Sequence, residues 1–275
     1  MFITARRHSL VLSLVLLAFA VFPDIAAATH SWGGYHWART SNPFTLKLGD
    51  NVSSIWDAYL GTTSSDWSVS DVLDTTIVPG QAKSKNCRPT SGRVEVCDAS
   101  YGNNGWLGVA QIWISGSHIT QGSVKMNDTY FNTSAYNTPA WRNLVMCQEV
   151  GHTLGLDHQD TTFGNQNLGT CMDYTNDPDG TLYNQLSNEH PNQHDYDELD
   201  IIYSHLDSTT TAGQTTLNGQ MPPAMNDIDF DTPAQWGKLI RSSNLGRTEL
   251  YELDFGGGHK VFTFVIWAEE GRGRR

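Results

Sequence analysis

The sequence predicts an α+β fold: a twisted mixed sheet of about five strands with three helices, followed by a small C-terminal β-hairpin appendage. Three observations predict it. Short alternating or apolar runs bounded by Gly and Pro fill the first half of the chain. A stretch from Ala140 to Leu154 has Gly151 as its sole helix breaker. Two alternating runs near the end are joined by Gly256, Gly257 and Gly258.

In chain order, Arg6 and Arg7, an apolar run from Leu10 to Phe22 and Ala26-Ala27-Ala28 read as an export signal over residues 1–28. The run falls short of the roughly 20 residues needed to span a bilayer. Phe44 to Leu48 alternates as a half-buried strand does, and a helix is expected from Asn51 or Ser53, with Ile55, Trp56, Tyr59 and Leu60 at helical spacing. Val72 to Val78, stopped by Pro79-Gly80, is a second strand, and Cys87 to Cys97 reads as a turn-rich loop feeding Val94 to Val96. Leu107 to Ile114 is a third clear strand and Ser123 to Phe131 a fourth.

Thr138 then offers an N-cap with Pro139 at the first helical position, opening the central helix. The Gly-, Asn- and Asp-rich stretch from Asp160 to His194 is longer than most connections in compact domains, which marks a functional loop. A last helix is expected from Asp195 to Leu206. The main domain is thus placed at 29–207, a Thr/Gly/Ser/Gln-rich linker at 208–220, and the appendage at 221–275, with its hairpin at Thr248 to Phe255 and Lys260 to Trp267. Two strands alone are marginal in water, so the hairpin must pack on the main domain or on a partner.

The net charge of −12 at pH 7 argues against nucleic acid or an anionic membrane as partner. Cys87, Cys97, Cys147 and Cys171 are even in number behind an export signal, which favours disulfides, with three pairings open. The product is expected to be secreted, extracellular or periplasmic, and monomeric.

Chemistry concentrates at Gln148-Glu149-Val150-Gly151-His152-Thr153-Leu154-Gly155-Leu156-Asp157-His158. Residues four apart share a helix face, so positions 148 and 152 can reach one ion, with Glu149 beside them. Gly155 can end the helix in a left-handed turn that returns His158 to the same point. Three ligands leave a zinc position open for water, and an adjacent carboxylate can act as general base in peptide hydrolysis.

The segment resembles the metzincin signature His-Glu-x-x-His-x-x-Gly-x-x-His, matched at Glu149, His152, Gly155 and His158, with Gln148 in place of the first His. Cys171-Met172-Asp173-Tyr174 is similar to the family's Met-turn, and Leu107 to Ile114 with Gly122 to Asp128 resembles the edge strand and following strand of its matrixin branch. The likeness runs from about Tyr35 to Leu206, and only the helix segment and the Met-turn are specific motifs.

The resemblance implies a secreted zinc endopeptidase acting on a protein or peptide substrate. It makes Gln148, His152 and His158 the metal ligands, Glu149 the general base, Met172 the residue beneath the metal, and Tyr174 a stabiliser of the tetrahedral intermediate. It also implies a Cys147–Cys171 pair, since Met172 would lie under the helix bearing Cys147, and leaves Cys87 with Cys97. An oxygen donor at Gln148 makes the site harder. Asp157, His190 and His194 are alternative third ligands. The alternative function is an inactive relative that binds a peptide or protein partner. No inhibitory cysteine segment of the matrixin kind fits between Ala28 and Trp37, so propeptide latency is not expected. Asn176, Asp177 and Asp179 offer oxygens to calcium, though Asn-Asp-Pro-Asp-Gly is also a turn sequence. Asn51, Asn127 and Asn132 sit in glycosylation patterns.

Overall fold

The computed structural model describes residues 29–215, 221–226, 231–243 and 246–268. The expected export signal and residues 216–220 of the expected linker lie outside them. Among the described residues no helix is long and apolar enough to cross a membrane.

The strands are β1 (His36–Trp37), β2 (Phe44–Asn51), β3 (Leu73–Pro79), β4 (Arg93–Ala99), β5 (Trp106–Ser115), β6 (His118–Asn127), β7 (Lys238–Ser242), β8 (Thr248–Asp254) and β9 (His259–Trp267). The helices are α1 (Asp57–Trp67), α2 (Asp128–Phe131), α3 (Pro139–Thr153) and α4 (Gln193–Ile202). One mixed sheet runs β3-β2-β4-β6-β5-β9-β8-β7, with the two-residue β1 paired to β6. The first four strands of that order are parallel, and β5 is the first antiparallel one.

The sheet therefore has nine strands where about five are expected. The hairpin supplies β8 and β9, and β1 and β7 are the other additions; the hairpin extends the main sheet, with β9 antiparallel along β5 from Trp106 to Ser115. Alternation along β9 then serves two cores. Phe262, Phe264 and Ile266 join the main core on the helix side, while Val261, Val265 and Trp267 pack with Trp106, Val109, Trp113, Met225 and Trp236 on the opposite face. Paired with β6 on one side and β9 on the other, β5 is an interior strand and not the edge strand that the resemblance implies for Leu107 to Ile114.

Other boundaries shift for local reasons. The first helix starts at Asp57 rather than at 51 or 53, because Asn51 ends β2 and the Ser53 hydroxyl donates to Asp98 at 2.9 Å. The strand expected through Phe131 stops at Asn127, which caps a short helix through the Thr129 N–H. Asn127 is wholly buried, and its amide donates to Gly102 O, Asn104 Oδ1 and Trp106 O, so it is a structural clasp rather than a glycan acceptor. The last helix ends at Ile202, leaving Leu206 exposed. The central helix agrees with expectation: Thr138 accepts from the Trp141 N–H and Pro139 opens the first turn.

Candidate metal centre

Helix α3 lies on the sheet against β5 and β6, with α1 packed beside it. Its approach to β5 needs Gly108, since a Cβ there would sit 2.5 Å from Val145 Cγ1 and 2.9 Å from Glu149 Oε1. Tryptophan indoles fix its far end: Trp32 donates to His152 O at 3.0 Å and Trp37 to Thr153 O at 2.8 Å. The Thr153 carbonyl would otherwise be an orphan of the helix terminus, whereas His152 O also accepts from the Gly155 N–H at 3.2 Å. Gly155 follows at φ 103°, and the chain turns back toward His158.

The turn brings the two imidazoles together, with ring centroids 4.6 Å apart. His152 Nδ1 donates to Leu156 O at 2.9 Å, because a carbonyl can only accept, so its lone pair is on Nε2. Burial holds the His152 pKa well below the usual histidine range. His158 places Nδ1 3.5 Å from the Asp157 carboxylate, which also binds the Arg241 guanidinium, Nη2 at 2.6 Å. Gln148 donates Nε2 to Cys171 O at 2.6 Å, which aims Oε1 away from that carbonyl. The outcome is common to all three residues: Gln148 Oε1, His152 Nε2 and His158 Nε2 are buried and reach no hydrogen-bond partner among the described residues. Each side chain is anchored at one polar atom, and the other atom is left for a ligand. Neutral imidazole nitrogen and amide oxygen are donors that zinc accepts, so the residues fit the metal.

Glu149 is fully buried beside them. Burial pushes its carboxyl well above the usual carboxylate range, offset only in part by the Ala110 backbone N–H, and neither oxygen reaches a well-aligned partner.

The floor of the site is covalently closed. Cys147 pairs with Cys171 and Cys87 with Cys97, each pair with Cα atoms 5.9 Å apart. Met172 lies against the bare backbone of Gly151, where a Cβ would come within 2.6 Å of Met172 Sδ. Tyr174 is buried, packs on Phe163 with the ring planes tilted by 43° and donates its hydroxyl to Arg247 O at 3.2 Å.

The alternative ligands are engaged elsewhere. His190 contacts Asp66 at 2.7 Å, the His194 ring stacks on His30 at 4.9 Å, and Asp157 holds Arg241. In the long loop, Asp177 accepts from the Leu182 and Tyr183 N–H groups and Asp179 from Thr181, which supports the turn reading of that segment.

Sequence reasoning missed the roof. Phe264 of β9 stacks on His152 with ring centroids 4.0 Å apart and planes 13° from parallel. With Arg241, Thr248, Glu249 and Leu250 it closes a cavity of about 30 Å³ beside His158, room for roughly one or two waters. The alternation of β9 announces an apolar face, and nothing in it says which sheet edge that face will cover. The chain matches no protein-family model and no curated protein.

Proposed function

We propose that this chain is a metal-dependent endopeptidase of the metzincin type, folded with its own C-terminal strand across the site. The observation that supports this best is the trio of buried, partnerless acceptors at Gln148, His152 and His158. An unsatisfied buried polar group costs about 1–3 kcal/mol, and a single cation would answer all three. Zinc bound there would supply Lewis acidity for activating water and polarising a peptide carbonyl.

The chain's own residues do the rest. Glu149, with the high proton affinity that burial gives it, takes a proton from the attacking water and returns one to the leaving amine. The Leu156 and Cys171 carbonyls hold the His152 ring and the Gln148 amide in their donating orientations. With β9 displaced, strand β5 would offer its backbone to an extended peptide by β-augmentation.

That lane is filled in this fold by β9, with Phe264 opposite Ala110. We read the arrangement as latent: hydrolysis needs β9 to lift or to be cut away. The same feature favours a second reading, a relative that binds peptide strands without cutting them.

Zinc-loaded protein incubated with unfolded casein separates the two, before and after limited proteolysis within residues 208–220. The peptidase reading expects casein cleavage to rise at least about tenfold on nicking and to vanish in Glu149→Gln, whose zinc content stays unchanged. Nicked protein that holds zinc, releases its C-terminal segment and leaves casein intact would sink that reading in favour of peptide binding.

A further inference from the structure

A second cluster of donors lies at the end of α4, where three chain segments meet. His36 comes from β1, His118 from the start of β6, and His205 and Asp207 follow α4. Asp207 Oδ1 is 3.4 Å from His36 Nε2, 3.2 Å from His118 Nε2 and 3.7 Å from His205 Nε2. His205 Nε2 is 3.2 Å from His36 Nε2. A tetrahedral zinc with ligands at 2.0–2.1 Å has ligand-to-ligand edges of about 3.3–3.4 Å. The ligand atoms of His36, His205 and Asp207 all lie within 4.8 Å of one another and span one face of such a tetrahedron within a few tenths of an ångström, while His118 meets Asp207 but lies outside that trio.

The groups behind these donors are arranged as those behind metal ligands usually are. His36 Nδ1 donates to Gly34 O at 3.0 Å, which leaves the lone pair on Nε2. Asp207 Oδ2 accepts from the Arg39 backbone N–H at 3.1 Å and from Arg39 Nη1 at 3.0 Å, which leaves Oδ1 to face the imidazoles. Arg39 is itself buried and lies over the Tyr203 ring, so the carboxylate is held firmly. One oxygen then serves three imidazoles, and two Nε2 atoms face each other. Shared protons satisfy such a group one pair at a time, whereas a dication satisfies every lone pair at once.

We propose that His36, His205 and Asp207 form a second zinc site. It clasps the N-terminal strand to the point where the chain leaves α4 for the C-terminal segment, with His118 beside it on Asp207. The site is independent of the centre at Gln148, His152 and His158, and stands whether or not that centre is catalytic.

The test is zinc content by mass spectrometry of the native-state protein after dialysis against buffered zinc, with thermal melting alongside. The double variant His152→Gln/His158→Gln is expected to keep about one zinc per chain, and adding His205→Gln, an exposed position, should remove it. In the native background, His205→Gln and His36→Gln are each expected to lower zinc content by about one equivalent and to abolish the rise in melting temperature that zinc gives. This second pair of variants decides the matter if the buried double variant fails to fold. Zinc content and zinc-dependent melting unchanged by His205→Gln and His36→Gln overturn the proposal and leave Asp207 as the hub of a hydrogen-bonded histidine cluster.

Discussion

The floor and the roof of the candidate centre are built from different kinds of sequence. The floor comes from one stretch of chain, 138–174: a capped helix, a left-handed glycine, a disulfide and a methionine packed on Gly151. The roof comes from a strand about a hundred residues later, held by ladder hydrogen bonds to β5 and by Phe264 on His152. A covalently closed floor keeps its geometry when the roof leaves. A roof held by strand pairing, apolar contact, the Arg241–Asp157 ion pair and the Tyr174 hydroxyl on Arg247 O, with no covalent link to the floor among the described residues, can leave. The comparison thus predicts that chemistry and access respond to different mutations.

Glu149→Gln tests the floor's chemistry and carries the largest expected effect. Casein cleavage by nicked protein should fall about 10²–10⁴-fold, the usual worth of a general base, with zinc content unchanged. Loss of zinc in that variant would mean Glu149 serves binding.

Phe264→Ala tests the roof. Removing a buried ring costs about 3–5 kcal/mol, read as a lower denaturation midpoint. Because this ring covers His152, the un-nicked variant should cleave faster than the native chain. Lower stability without faster cleavage would break the distinction between roof and floor.

Replacing Cys147 and Cys171 together by Ala reopens a link across 24 residues of sequence, with an expected loss of about 3 kcal/mol. Zinc affinity should fall as well, since the Cys171 carbonyl that orients Gln148 loses its tether. Zinc affinity unchanged beside lower stability would show that the floor holds without its covalent bond.

The smallest effect concerns pH. Burial pushes the Asp173 carboxyl from its ordinary 3.8 up to about 6, so the folded state holds that proton more tightly than the unfolded chain. The contribution is fully present below about 3.8 and is lost as pH rises through about 6. Asp173→Asn keeps an oxygen for the Leu168 N–H and the Asn188 amide. It should be more stable than the native protein above about pH 6, by roughly 1–3 kcal/mol, and close to it near pH 4. Parallel melting curves at both pH values check this.

The same contrast explains what was legible in the sequence. Thr138-Pro139, Gly155 and the 148–158 spacing act locally, through capping, φ preference and the helical repeat, so they could be read from neighbours in the chain. The positions of β8 and β9 were legible from alternation. Their docking on β5 was not, because an apolar face fits any apolar face, and the choice of edge is made by Phe264, Ile266 and Trp267 meeting both cores at once. The start of α1 was misplaced because Asn51 and Ser53 bond across the chain to Glu95 and Asp98. The cluster of His36, His118, His205 and Asp207 has no local signature, since three distant segments supply it.

Cys171 does two things at once: its sulfur joins Cys147, and its carbonyl aims the Gln148 amide. On the metal-binding reading proposed above, closing this disulfide also steadies the carbonyl that orients Gln148, so the chain would become ready for its metal only in a compartment where disulfides persist.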